Sequence, residues 1–206
     1  MEYFTIIELL VSLILASSSP FRKAILERLG ISFIAVSPNI DETRKIPETP
    51  QDLVYRLAEA KTKEVSKAHS GLIIASDQVA TLGSGKEESD EIMNKPLTRQ
   101  NAFSQLQKSS GRTVTFLTSI ALLNTETGIL QNHVEFFRVV FKSLSENHIL
   151  SYLEKEDVLN CAGSFKSEGL GIALCDRMEG NDPNSLIGLP TIQLIKMLAK
   201  ENVHIL

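Results

Sequence analysis

Arg22 and Lys23 fall in the first turn of a helix that the sequence predicts to open at Pro20, directly after Ser17, Ser18 and Ser19. Positive charge there opposes the helix dipole unless an anion lies nearby. Serine hydroxyls and the free N–H groups of a strand-to-helix turn are the ingredients of a phosphate site. Ser19 taken alone also reads as a plain N-cap. Lys61 is the second anomaly: at helical spacing it lies among Val54, Leu57, Ala58 and Val65, in the centre of an apolar face. Either its stem covers the core while the ammonium snorkels to water, or the ammonium reaches a phosphate in a cleft.

Carboxylates could complete such a site. Asp77 and Gln78 follow the apolar run Leu72 to Ala75, a position at the carboxyl end of a buried strand, where open α/β sheets bind ligands. A turn or cap is the other reading for an aspartate there. Asp41 and Glu42 lie in a proline-flanked loop, and a carboxylate from it could join Asp77 in holding a hard divalent cation such as Mg2+. An acidic loop is otherwise simply solvated, and Lys95, between Asn94 and Pro96, is by itself a surface turn lysine. Other signals fail. Gly83-Ser-Gly-Lys86 lacks the first glycine of a P-loop and the hydroxyl residue after the lysine, and Gly169-Leu-Gly171 lacks the third glycine of a dinucleotide fingerprint. His69, His133, His148 and His204 have no ligand spacing. Cys161 and Cys175 make neither a disulfide framework nor a zinc site, so reduced thiols in a cytoplasmic protein are expected.

The elements that must position these groups alternate strand and helix. Leu13 to Ala16 reads as a buried strand, Pro20 to Leu29 as a helix closed by Gly30, and Ile31 to Val36 as a strand. Ser37 to Pro50 is a loop, Gln51 to His69 a helix, and Gly71 to Ala75 a second buried strand, which together give the α/β signature. Thr81 to Asp90 reads as a hairpin or flexible loop, and Thr98 to Lys108 as a helix. Arg112 to Leu123 and Leu130 to Phe141 predict an antiparallel hairpin across Asn124 to Gly128. A helix capped by Ser145, a glycine-rich stretch from Cys161 to Asn184 that is irregular around short strands, and a closing helix opened by Pro190 complete the chain. A single domain over residues 1–206 is expected. The net charge of −4 offers no basic excess for a nucleic-acid duplex, so a polyanionic ligand must meet a local cluster of cations. Tyr3 to Ala16 is apolar but interrupted by Glu8 and short of the roughly 20 residues of a bilayer span, so neither a signal peptide nor a membrane segment is expected.

Taken together and in order, Leu15-Ala-Ser-Ser-Ser-Pro-Phe-Arg22, Asp41-Glu42, Lys61, Ser76-Asp-Gln78, Asn94-Lys-Pro96, Ala162-Gly-Ser-Phe-Lys-Ser-Glu-Gly169 and Asn184 to Pro190 resemble the Maf family from about Leu13 to the C-terminus. The resemblance implies a mixed, twisted sheet with flanking helices, two lobes around a central cleft of the Maf/ITPase-like kind, dependence on a divalent metal (Mg2+ or Mn2+), and hydrolysis of a nucleoside triphosphate between its α- and β-phosphates. It also implies a homodimer. The first dozen residues exceed the usual family start, which makes 1–12 an N-terminal extension or the product of a misplaced initiation site.

Residue by residue, the resemblance makes Ser17 and Arg22 phosphate-gripping, Lys61 and Lys95 phosphate-binding, Glu42 a metal carboxylate, and Asp77 a metal ligand and the proton acceptor. Many members have an arginine where this chain has Phe21, a threonine where it has Gln78 and a glutamine where it has Glu168. These departures resemble the subgroup that acts on 7-methylguanosine triphosphate, with Phe21, Gln78 and Glu168 on the substrate; dTTP, UTP or other non-canonical nucleotides are the alternatives. Without the resemblance, Glu168 reads as an exposed loop carboxylate and Phe21 as core. Maf proteins are also associated with inhibition of septum formation, so a nucleotide-responsive binding role is the reading from a different class.

Overall fold

The structure, a computed structural model, describes residues 12–206; the start of the apolar stretch, Tyr3 to Val11, and nearly all of the expected extension lie outside them. Seven strands form one mixed sheet. β1 (Leu13–Ala16) lies between β2 (Ile34–Val36) and β3 (Leu72–Thr81), parallel to both. β3 then pairs antiparallel with β5 (Thr113–Asn124), β5 with β6 (Leu130–Phe141), and β6 with β7 (Cys175–Glu179). The helices are α1 (Pro20–Glu27), α2 (Pro50–Ser66), α3 (Arg99–Ser109), α4 (Glu146–Lys155), α5 (Pro183–Ile187) and α6 (Thr191–Lys200). The predicted hairpin across Asn124 to Gly128 is present, and the predicted strand from Ile31 is shorter, starting at Ile34.

β3 differs most from expectation. It runs on to Thr81, so Asp77 and Gln78 sit in mid-strand rather than at its carboxyl end. The polar run Ser76-Asp77-Gln78 does not stop the strand because β5 pairs with it along its whole length and meets it with Ser119 and Thr118. The opposite edge is covered only in part. β1 reaches from Leu72 to Ile74, and the short β4 (Ile92–Met93) covers Ala80 and Thr81. Residues 75–79 between them have no strand partner on that edge among the described residues, and this notch is where the sheet opens.

Strand alternation divides the notch between two faces. Ile73, Ala75, Asp77 and Val79 share the face covered by α2, whose Leu53, Val54, Leu57 and Val65 are buried against it. On the other face two hydrophobic clusters flank the notch. One joins α1 and α6 to β1 and the first half of β3; the other joins α3 and α4 to Ala80, Phe116 and the far ends of β5 and β6. These are the two lobes, and a cleft of about 930 Å3 is lined from both. No helix among the described residues is long and apolar enough to cross a membrane.

α2 begins one residue earlier than the periodicity alone implied, because Pro50 occupies its first turn and Thr49 caps it. Thr49 Oγ1 accepts from Asp52 N–H at 3.1 Å, and the Asp52 carboxylate in turn accepts from the Thr49 N–H at 3.3 Å. Thr49 does not itself line the cleft, so Thr49→Ala should lower stability by about 1 kcal/mol. A thermal melt should then fall by roughly 2–4 °C with catalytic constants unchanged; a larger fall with lost activity would show that the cap also sets the register of Lys61.

Candidate active site

Lys61 is 5% exposed, and its ammonium ends beneath two carboxylates. Nζ lies 2.5 Å from Asp77 Oδ1 and 2.7 Å from Glu42 Oε1. The snorkelling alternative is therefore excluded: the side chain crosses the apolar face of α2 to reach the notch in β3. Asp77, 8% exposed, is fixed from the other side, its N–H donating to Ser119 Oγ at 3.1 Å while that hydroxyl donates to the Asp77 carbonyl at 3.3 Å. Ser119 was missed in the sequence, although a serine within the apolar run of β5 was the available signal.

Glu42 swings in from the loop between β2 and α2 and remains largely exposed. Desolvation raises its carboxyl, but the hydrogen bond to Lys61 and the positive charges of Lys61, Lys95 and Arg22 outweigh it and hold the group below its ordinary range. Lys95 is exposed on the cleft wall and, among the described residues, makes no ion pair, so its charge is available to a ligand.

At the start of α1, Ser19 is indeed the N-cap, accepting from Arg22 N–H at 3.4 Å, and Ser17 Oγ accepts from Ser19 N–H at 3.1 Å. The two basic residues of that turn separate. Lys23 leans along the surface toward Glu27 at 3.8 Å, whereas Arg22 enters the cleft and donates from Nε to the Gly188 carbonyl at 2.8 Å. Burial pulls the guanidinium pKa down against the opposing influence of Asp77 and Glu42. Its terminal nitrogens make no further hydrogen bond among the described residues and keep the fork that suits a phosphate.

Phe21, Gln78 and Glu168, the three departures expected on the substrate, are placed differently. Phe21 is half-buried on the cleft wall, not in the core, and Glu168 is exposed on the same cleft's rim. Gln78 also borders the cleft, but its amide nitrogen already donates to Thr118 Oγ1 at 2.9 Å and to the carbonyls of Ser185 and Leu186 at 2.9 and 3.0 Å. Those bonds anchor α5 and leave only the amide oxygen for a ligand.

Among the described residues no three His, Cys, Asp or Glu groups converge as a ready-made metal cage. Glu42 and Asp77 nevertheless suit a hard cation. They converge on one point, now held by the Lys61 ammonium, and the second oxygen of each carboxylate has no hydrogen bond among the described residues. Mg2+ is commonly bound by one or two carboxylates with substrate phosphates supplying the remaining oxygens, so this pair fits a cation shared with a nucleotide.

Arg22, Lys61 and Lys95 thus surround Asp77 in a cleft large enough for a nucleotide, an arrangement that can neutralise a polyphosphate while presenting a carboxylate to it. Comparison with known proteins identifies the family. Over 194 residues the chain is 48% identical to the 7-methyl-GTP pyrophosphatase of Vibrio cholerae serotype O1 (strain ATCC 39315 / El Tor Inaba N16961), and 46% identical to that of Vibrio vulnificus (strain CMCP6). Each match covers 94% of this chain and 97% of the relative. Among solved structures, the Staphylococcus aureus Ham1 protein superposes on 64% of this chain and 72% of its own with a TM-score of 0.45 and 13% identity, a likeness too loose to bear on function. The profile of the family described as Maf-like protein matches residues 12–201, nearly the whole of the described chain. With the site residues in the order and setting given above, the chain belongs to the Maf family.

Proposed function

We propose that this protein hydrolyses a nucleoside triphosphate between the α- and β-phosphates, releasing the monophosphate and diphosphate, and that its substrate is 7-methyl-GTP. The observation that carries the reaction is the Lys61 ammonium held between Asp77 and Glu42 at the floor of a cation-lined cleft.

Water attacking the α-phosphorus must overcome repulsion by the charged chain, so positioning and electrostatic stabilisation dominate the barrier. In the free protein Lys61 pairs with both carboxylates at once. An entering triphosphate offers the ammonium a competing anion, and Asp77 is then released to accept a proton from the attacking water. Arg22 grips a phosphate through its free nitrogens, with Ser17 beside it, and Lys95 meets the chain from the opposite wall. A divalent cation held by Glu42, Asp77 and the phosphates would supply further charge neutralisation and lower the pKa of water at the site. No covalent nucleophile is required. Asp77→Asn keeps the shape but removes the proton acceptor, so kcat should fall by about 100-fold or more with little loss of nucleotide binding. Turnover within a few-fold of the parent would remove Asp77 from that role.

The base assignment rests on the relatives and on Phe21 and Glu168. Methylation leaves the guanine ring with a delocalised positive charge that guanine, uracil and thymine lack. Stacking on Phe21 would contribute about 0.5–2 kcal/mol, and a charge-assisted hydrogen bond to Glu168 about 1.5–3 kcal/mol. Diphosphate release measured across a nucleotide panel should give the highest kcat/KM for 7-methyl-GTP. Glu168→Gln combined with Phe21→Arg should erode the preference over dTTP by about tenfold, which corresponds to 1.4 kcal/mol. A ratio unmoved by the substitutions would discard the base pocket and leave the reaction itself standing.

A further inference from the structure

Asp182 does not border the cleft, yet its buried carboxylate is bonded from two helices at once. The residue is 2% exposed. Its Oδ1 accepts from Asn184 N–H at 2.9 Å at the start of α5, and its Oδ2 accepts from Ile192 N–H at 2.7 Å at the start of α6. The Thr191 hydroxyl lies 3.3 and 3.2 Å from the two oxygens. Its backbone carbonyl accepts the Ser185 N–H at 3.0 Å and the Ser185 hydroxyl at 2.6 Å. Negative charge is favoured at the N-terminus of a helix, and charge-assisted bonds are the stronger kind, so one side chain sets the relation of the two helices.

The short connection between those helices carries Gly188. Its N–H is tied back to the Asn184 and Ser185 carbonyls at 3.1 and 3.0 Å. Its φ of +125° turns the chain in a way that favours glycine, and a Cβ there would lie 3.4 Å from Arg22 Nε. The Gly188 carbonyl accepts from Arg22 Nε at 2.8 Å and from the Ser76 hydroxyl at 2.7 Å. One backbone oxygen thereby joins the arginine of α1 to the strand that presents Asp77. With Nε engaged, the guanidinium plane is fixed and its terminal nitrogens face a ligand as a preorganised fork; without it, the long side chain regains its rotamers.

We propose that Asp182 is a positioning residue for Arg22, acting through the Gly188 carbonyl, and that it thereby sets the grip of the cleft on a polyphosphate chain. The inference rests on the reading of the cleft as a polyphosphate site. An amide has one acceptor oxygen and cannot cap both helices, so Asp182→Asn loosens the α5–α6 connection while keeping side-chain size. The test is a thermodynamic cycle for binding of inorganic triphosphate, measured by titration calorimetry, over the parent, Asp182→Asn, Arg22→Ala and the double variant. With Arg22 present, Asp182→Asn should weaken binding by about fivefold or more; with Arg22 absent it should have no further effect. The melting temperature should drop similarly in both backgrounds, separating positioning from stability. Should Asp182→Asn fail to fold, Thr191→Val, which removes one donor to the same carboxylate, takes its place in the cycle. Equal weakening in both backgrounds, no weakening with Arg22 present, or no triphosphate binding by the parent would each overturn the proposal. Inorganic triphosphate has no base or ribose, so a parent that binds it but turns over no nucleotide defeats the pyrophosphatase reading and leaves this one intact.

Discussion

A lysine ammonium with almost no access to bulk water must be paired, and the pairing of Lys61 with Asp77 and Glu42 ties the molecule together. Through it α2 is locked to the centre of β3, and the loop between β2 and α2 is drawn over the cleft by Glu42. Removing one partner of such a group costs more than removing an exposed ion pair, because the remaining charge stays buried. The surface pairs of α2, Lys63 with Glu59 and Lys67 with Glu64, lie at ordinary helical spacing and bear little of this constraint.

The sheet is arranged to make that triad reachable. A β1 of only four residues and a β4 of two leave residues 75–79 uncovered on one edge of a strand that is otherwise fully paired. Asp77 there is rigid, because β5 holds its backbone, and open on the other edge, where no strand among the described residues pairs with it. Ser76 and Gln78, pointing to the opposite face, fasten Gly188 and α5. Three consecutive polar residues in a buried strand therefore serve two sides of one cleft, and their desolvation is offset by bonds on both.

Where the chain's physics is local, the sequence was a sound guide. Lys61 stood out because a lysine breaks an apolar stripe of period 3.6, and the caps read at Ser19 and Ser145 lie where the helices begin. The misreadings concern pairings between distant residues. Ser76-Asp77-Gln78 looked like the end of a strand because its satisfying partners, Thr118 and Ser119, lie some 40 residues away. By helix position alone Arg22 and Lys23 are equivalent, and only the packing of α1 against Gly188 separates them; the engagement of the Gln78 amide likewise depends on where α5 lies. Asp182 gave no signal, since a short polar residue before Pro183 reads as an ordinary cap.

Cations grouped around one carboxylate suit attack of water at the α-phosphorus of a triphosphate. Hydrolysis in H2 18O, followed by mass spectrometry of both products, tests directly which phosphorus is attacked. Attack at the α-phosphorus places the heavy oxygen in the nucleoside monophosphate and leaves the diphosphate unlabelled. Label in the diphosphate would mean attack at the β-phosphorus and would contradict the roles proposed for Arg22, Lys61, Lys95 and Asp77.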